Sequence, residues 1–233
     1  MRKHLCCWLT ALLGLLPAVV YGQLQDQRNN LSVGVNGGIH LNTVSFEPRI
    51  KQGTSIAPTL GVTARYICEK YFKMICGVQA EINYSVHGWK ENIEDGTGDT
   101  YRRKMNYIEI PVLAHLAFGS DRNRGARFVL NLGPQIGFLL SESEEKGGPW
   151  TDLSLRAGGV TQQYGYMADK KFAYGITAGG GAEIRTGIGH FVIEARYYLG
   201  LSDFYNNTKK DFFSRSGQSA ITAKLTYLFD LIK

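Results

Sequence analysis

Histidine and serine are the residues in this chain whose types and spacing could carry hydrolytic chemistry. Five histidines are scattered along the sequence, and His87, two positions after Ser85, lies near the predicted outer end of a strand, where a rim hydrolase would place its site. The chain contains no Gly-x-Ser-x-Gly, Walker A or His-Glu-x-x-His motif. We therefore predict no catalytic residues, no metal ligands and no cofactor, and keep a rim hydrolase as an alternative.

Charged residues recur at alternate positions of segments that are otherwise apolar. An unpaired buried charge is costly, so acids and bases that share one interior are expected to pair with each other. The set contains equal numbers of both signs, with glycines between them that leave room for long side chains. These candidate residues are Arg65, Glu81, Glu109, Glu183, Arg185, Glu194, Arg196 and Lys224.

Two cysteines, Cys68 and Cys76, flank a predicted turn at 69–72 and share the apolar face of their strands. Steps of two residues along facing strands place them diagonally rather than directly opposite each other. A disulfide between them stays open, and packing of two small apolar side chains is the simpler interpretation.

The elements that position these residues are strands, because apolar and polar residues alternate with a period of two. In 31–41, for example, Leu31, Val33 and Val35 alternate with polar or small residues. The alternating segments are much longer than the ~5–6 residues of ordinary strands, and they reach the length that a tilted strand needs to cross a bilayer. The eight segments are 31–41, 56–68, 73–87, 105–118, 128–140, 172–185, 191–201 and 218–229.

The connections between these segments alternate between long and short, which is typical of transmembrane barrels. The polar face, with its paired charges and small residues, suits the filled interior of an eight-stranded barrel better than the surface of a soluble, lipocalin-type barrel. A filled interior argues against general porin activity. On the segment 105–118, Tyr107, Pro111 and Leu113 point inward, and Pro111 predicts a bulge or a local irregularity because it cannot donate to a strand ladder.

Composition and the first residues complete this prediction. The chain of 233 residues has a net charge of +6 and contains 28 glycines, and its content of 44% hydrophobic and 20% charged residues excludes a disordered chain, a collagen-like repeat and a bundle of membrane helices. Residues 1–22 combine Arg2 and Lys3 with an apolar run, the pattern of a cleaved signal peptide. We expect a short periplasmic segment at 23–30 and an all-β, antiparallel, up-and-down transmembrane barrel over 31–233.

Cations gather where the predicted strands meet the long connections. A positive side chain near an anionic membrane surface contributes about 1 kcal/mol, so we expect these cations to contact the phosphates of lipopolysaccharide. An exported barrel predicts no nucleic-acid partner. The candidates are Lys90, Arg102, Arg103, Lys104, Lys170, Lys171, Lys209 and Lys210.

Several segments resemble the PorT-like outer-membrane β-barrel proteins: Asn106–Leu113, Gly77–Ser85, Gly133–Gly137, Glu194–Leu201 and Leu225–Phe229. The resemblance covers essentially 31–229 and implies an eight-stranded barrel in a Gram-negative outer membrane. It implies no single activity, although the protein that gives the family its name takes part in type IX secretion. We therefore expect a non-enzymatic barrel with a structural or binding role through its outer loops, with an accessory role in type IX secretion, and so an envelope or secretion-system partner, as the alternative.

Overall fold

The computed structural model describes residues 26–71, 73–94, 96–119, 125–150, 160–186 and 188–232. The predicted signal peptide at 1–22 lies outside these residues. Within them, no helix is long and apolar enough to cross a membrane. The strands are β1 (Asp26–Glu47), β2 (Gln52–Gly53), β3 (Ser55–Tyr71), β4 (Met74–Glu91), β5 (Thr100–Gly119), β6 (Gly125–Gly147), β7 (Phe172–Arg185), β8 (His190–Asp203) and β9 (Arg215–Ile232).

The eight long strands form a closed antiparallel ring, in which every strand pairs with its neighbours in sequence. β1 pairs with both β3 and β9, and the pairing of β4 with β5 completes the circle. The two-residue β2 adds only a short contact with the end of β4. The predicted eight-stranded up-and-down barrel is confirmed.

Long and short connections are sorted to opposite ends of this barrel. The long connections, from β1 to β3, β4 to β5, β6 to β7 and β8 to β9, leave strand ends at one end of the barrel, and the short ones, from β3 to β4, β5 to β6 and β7 to β8, leave strand ends at the other. The connections are shorter than the sequence predicts because most of the strands are longer. β1, for example, begins at Asp26, inside the segment 23–30 that was expected to precede the barrel.

The strands extend beyond their predicted ends, into regions where apolar residues face the lumen and polar residues face outward. In the middle of β1, apolar side chains such as Val35 and Ile39 point outward, as a lipid-facing surface requires. Towards the long-loop end, Val44 and Phe46 are buried inside while Thr43 is exposed. A strand with this reversed pattern faces water on its outer side, so the barrel wall continues beyond its apolar belt.

Pro111 lies within an interruption of the ladder with β4, whereas the ladder with β6 is interrupted just after it, at Val112 and Leu113. The ladder of β5 with β4 passes from Val112 directly to Glu109, which leaves a gap at Pro111. On the other side, Pro111 keeps its place opposite Gln135, and the register shift between β5 and β6 comes at Asn106 and Tyr107. The predicted irregularity is an interruption of the ladder, as expected for a residue without an N–H group, and the shift lies elsewhere.

Candidate functional site

Two layers of charged side chains fill part of the lumen, one near the short-turn end and one in the middle of the barrel. Near the short-turn end, Arg65 donates to Glu183 at 2.7 Å, and His190 lies 2.7 Å from Glu183 and 2.8 Å from Asp230. In the middle layer, Arg196 donates to Glu81 at 2.8 Å and 3.0 Å. The contacts of Arg65 with Glu183 and of Arg196 with Glu81 join strands that are far apart in the sequence.

The middle layer also contains Glu194, which accepts a hydrogen bond of 2.7 Å from Arg196, and Lys224, which is ion-paired with Glu81. Of the predicted lumen residues, Arg65, Glu81, Glu109, Glu183, Glu194, Arg196 and Lys224 are buried. Arg185 is only half-buried and lies at the short-turn end, where it lines a small cavity together with Asp230.

The lumen also contains charged and polar residues that the sequence analysis did not select. Arg127, His115 and Asn131 are in phase with the selected residues, so the alternation itself was a signal that could have identified them. Arg127 lies 3.9 Å from Glu183, and His115 lies 2.8 Å from the Asn131 side-chain oxygen.

A third layer above these charges contains two stacked imidazoles. The rings of His40 and His87 are 5.0 Å apart, and His87 Nε2 lies 2.9 Å from Glu109 Oε1. His87 is buried, and Ser85 is fully buried with its hydroxyl 2.9 Å from that of Thr59. The predicted rim position of His87 is therefore wrong, because the strand continues past it into the wall beyond the apolar belt.

Aromatic side chains close the lumen at the long-loop end. Trp89 is fully buried, contacts Phe46 with a centroid distance of 4.9 Å and stacks on Phe204 at 5.7 Å. At the opposite end, a smaller apolar cluster closes the lumen with Ile75, Ala117, Val129, Val192 and Leu228. Between these two clusters, the cavity beside His40 measures ≈ 20 Å³, which is room for about one water molecule.

Arg103 lies inside this closed end and not at the membrane surface. It is fully buried, donates to Glu142 at 2.7 Å and is ion-paired with Glu144. Tyr101 also donates to Glu144, at 2.7 Å. The predicted contact of Arg103 with lipopolysaccharide is therefore wrong. Side chains alternate along β5, so Arg103 points inward while Arg102 and Lys104, on either side of it, point outward.

Glu144 is held in its charged form by these neighbours. Partial burial opposes the charge, but hydrogen bonds from Tyr101, from the Gly165 N–H and from Arg103 hold the pKa of this carboxyl below its usual range. Burial raises the pKa of Tyr101, which keeps it a hydrogen-bond donor. The carboxylate therefore anchors the 160s loop to the barrel wall.

The other predicted cations lie on the outer surface of the long-loop end. Arg102 is half-buried and donates to the Ile56 carbonyl at 3.0 Å, while Lys104 is ion-paired with Glu145. Lys170 is also half-buried, with its Nζ 3.5 Å from the Asn207 side-chain oxygen. Those that are exposed are Lys90, Lys171, Lys209 and Lys210.

A cleft of ≈ 340 Å³ opens between the two long loops that follow β6 and β8. Its base is aromatic, since the buried rings of Tyr205 and Phe213 stack at 5.1 Å. Phe212, in contrast, is 48% exposed. The lining residues are Gln162, Tyr166, Tyr205, Asn206, Lys210, Asp211, Phe212 and Phe213.

Hydrogen bonds between the two loops give this cleft a fixed shape. The Tyr205 hydroxyl donates to the Tyr166 carbonyl at 3.2 Å, and the Asn206 N–H donates to Asp169 at 2.8 Å. Hydrogen bonds from the hydroxyl and the N–H of Thr208 hold the pKa of Asp211 below its usual range. The paired aromatics Phe204-Tyr205 and Phe212-Phe213 were the signal for this cleft in a segment that otherwise resembles a solvated loop.

Cys68 and Cys76 are both free, and each is partly exposed. Cys76 stands opposite Glu69 in the ladder of β3 and β4, after a register shift next to Cys68. The two thiols are therefore offset along the sheet, and the structure contains no disulfide between them.

Comparison with known proteins gives one family and several similar folds. A family model described as outer membrane protein beta-barrel domain matches residues 22–206. No curated protein sequence matches the chain. Among solved structures, it is similar to OprG from Pseudomonas aeruginosa, at 11% identity over 89% of this chain and 97% of that chain, with a TM-score of 0.47.

Two further similar structures are the attachment invasion locus protein Ail of Yersinia pestis and the Neisserial surface protein A. For Ail the identity is 12%, the coverage is 87% of this chain and 100% of that chain, and the TM-score is 0.36. For the Neisserial protein the corresponding values are 10%, 84%, 95% and 0.41.

Proposed function

Because the chain belongs to the outer membrane protein beta-barrel domain family, we propose that it is a non-enzymatic surface protein whose outer loops bind a saccharide. The barrel anchors the protein in the outer membrane, and its long-loop end faces the outside of the cell. The cleft between the loops after β6 and β8 is the proposed binding site. The observation that carries this proposal is the cleft itself, because it is the feature of the long-loop end that combines volume, exposed aromatic rings and polar groups.

The chemistry of the cleft suits a sugar ring. Exposed aromatic faces, those of Tyr166 and Phe212, offer the flat apolar surface that the C–H side of a sugar covers, and polar groups at the margin bind its hydroxyls. Asn206 and Gln162 supply amides, while Lys210 and Asp211 supply one charge of each sign. With these charges balanced, a neutral saccharide is the expected ligand.

Loss of the exposed ring tests this proposal. The wild-type barrel in detergent is applied to an array of immobilised neutral oligosaccharides, together with the variants Phe212→Ala and Phe229→Ala. Phe229 is 48% exposed like Phe212 but lies on the outer face near the short-turn end, so it is a matched control. We expect Phe212→Ala to weaken binding about tenfold, since a lost aromatic contact of this kind is worth ~1.4 kcal/mol. Absence of binding by the wild type, or equal binding by Phe212→Ala, would overturn the proposal.

We also propose that the outward-facing cations contact lipopolysaccharide. Arg102 and Lys104 lie side by side on the outer surface of β5, where the wall leaves the apolar belt. The double variant Arg102→Ala/Lys104→Ala is expected to bind less labelled lipopolysaccharide than the wild type. Lys73→Ala at the short-turn end is the control, since Lys73 is exposed but lies at the opposite side of the membrane. Unchanged binding by the double variant would contradict this contact.

Three finer expectations stay predictions: the cleaved signal peptide, the PorT-like subgroup and the accessory role in type IX secretion. Amino-terminal sequencing of the barrel from outer membranes is expected to begin at Gln23. Deletion of the gene followed by an assay of surface-protein export separates a secretion role from a saccharide-binding role.

A further inference from the structure

Glu109 is a buried carboxylate whose charge has an unusual partner. It is 5% exposed, and it accepts hydrogen bonds from Gln135 Nε2 at 2.7 Å and, at 2.9 Å, from His87 Nε2 when that nitrogen is protonated. Among the ion pairs of the described residues, its partner is His87, whereas Glu81, Glu183 and Glu194 all meet arginine or lysine. A buried carboxylate needs a compensating positive charge, and an imidazole supplies one only in its protonated form.

His40 adds an imidazole nitrogen without a partner at the same place. Its Nδ1 lies 2.7 Å from the Thr222 hydroxyl, while Nε2 is buried and has no hydrogen-bond partner. His40 is 7% exposed, so its buried Nε2 lies away from bulk solvent, where an imidazole nitrogen requires a hydrogen-bond partner or a bound ion. A cavity of ≈ 20 Å³ adjoins these side chains and has room for one water molecule or one ion.

We propose that His40, His87 and Glu109 bind a divalent transition-metal ion, with Zn²⁺ as the best match. Their candidate donor atoms all lie within 4.8 Å of one another. Two imidazoles and one carboxylate form a ligand set that zinc uses, with a water molecule in the fourth position. The ion would place a positive charge beside Glu109 and give His40 Nε2 a partner.

Neighbouring groups orient these ligands as the outer shell of a metal site does. The Thr222 hydroxyl holds His40 Nδ1, which leaves Nε2 free for the ion. Gln135 donates to Glu109 and accepts a hydrogen bond of 2.6 Å from Thr177. Lys224 and Arg196 line the same cavity, but they are ion-paired with Glu81 and Glu194, so their charges are already compensated.

The three ligands come from β1, β4 and β5, so the ion would link strands across the upper lumen and lock the closed barrel. The sequence alone gave no reason to join His40, His87 and Glu109, because each lies on a different strand with no characteristic spacing. The inference is independent of the saccharide cleft, which lies beyond the aromatic layer.

Zinc content tests the site directly. The full-length barrel, without a polyhistidine tag, is refolded into detergent with ZnCl₂, freed of excess metal by gel filtration and analysed for zinc. The expected result is one zinc ion per wild-type chain and a loss of at least about tenfold in affinity for His40→Gln. His115→Gln is the matched control, since it removes another buried lumen imidazole outside the cluster, and it is expected to retain zinc.

A second measurement covers the case in which His40→Gln does not fold. Zn²⁺ is expected to raise the thermal unfolding midpoint of the wild type and of His115→Gln, and Co²⁺ is expected to give the visible absorption of a site with imidazole ligands. Thr222→Val, which keeps all three ligands, is expected to weaken zinc binding about 10–100-fold. A wild-type barrel that takes up no zinc, or zinc uptake equal in wild type and His40→Gln, would overturn the proposal.

Discussion

Arg103 occupies a position that solvent does not reach, between two acidic side chains of the neighbouring strand. Its neighbours in the sequence, Arg102 and Lys104, point outward because side chains alternate along a strand. Glu142 and Glu144 also contact backbone N–H groups of the 160s loop, at Ala168 and Gly165. Arg103 therefore holds in place the two carboxylates that fix this loop.

Replacement of Arg103 by Met is expected to lower the free energy of unfolding by about 3 kcal/mol, because Glu142 loses its buried partner and Glu144 is left with the more distant Lys146, at 3.6 Å. Urea unfolding followed by tryptophan fluorescence measures this change. Arg102→Met, one position away on the outer surface, is expected to change stability by no more than about 0.5 kcal/mol. Similar losses in the two variants would show that Arg103 does not have this role.

Glu144 gives the outer loops a dependence on acid pH. Its pKa is below the usual range in the folded protein, so its contribution to stability is fully present above the ordinary glutamate pKa of ~4.3 and is lost as the pH falls through the lowered value. We expect the protection of the 160–170 loop against hydrogen exchange, measured relative to the intrinsic rate at the same pH, to fall at acid pH while the barrel strands stay protected. In Glu144→Gln this loop is expected to exchange rapidly at neutral pH as well. If the exchange rate of this loop relative to that of the strands changes neither at acid pH nor in Glu144→Gln, the result would contradict this role.

At the scale of the strand, glycine permits the close contact of β1 with β9. A Cβ atom on Gly38 would lie 2.2 Å from the Ala223 carbonyl oxygen, whereas one on Gly37 would meet nothing closer than Leu60 at 3.6 Å. Gly38→Ala is therefore expected to cost about 1–3 kcal/mol through overpacking. Gly37→Ala on the same strand is expected to be tolerated. The heat-dependent gel mobility of the two folded barrels provides the comparison, and equal behaviour would argue against a special role for Gly38.

The alternation in the sequence predicts the strands in the membrane well, because lipid on one side imposes apolar residues at every second position. It fails where the wall leaves the membrane. Val44 and Phe46 point inward there, and a search for apolar residues on the outer face stops before them. The same reversal explains why Arg103 was assigned to the surface and His87 to the rim.

The contacts inside the lumen follow less directly from the sequence. The alternation of polar and apolar residues along each strand predicts that Glu81, Arg196 and Lys224 all point into the lumen. Which acid meets which base depends on the stagger between strands that are far apart in the chain, and a pattern within each strand does not contain this information. For the same reason the cluster of His40, His87 and Glu109 became evident only in three dimensions.

At the scale of the whole molecule, side chains fill the barrel from one end to the other. An apolar cluster closes the short-turn end, two charged layers and the imidazole layer follow, and the aromatic layer around Trp89 closes the long-loop end. The loops above this layer form the cleft that we propose as a saccharide site. With its lumen filled, a molecule built in this way is expected to bind partners at its outer surface.

Electrical recording in planar lipid bilayers tests this closed lumen most directly. Single wild-type barrels inserted in the bilayer are expected to show no steady single-channel conductance, since buried side chains of the Glu81–Arg196 layer and of the aromatic layer occupy the lumen. A porin recorded in the same bilayer provides the positive control. A steady, reproducible conductance from the wild-type barrel would show that the lumen is an open channel and would contradict a lumen closed by side chains.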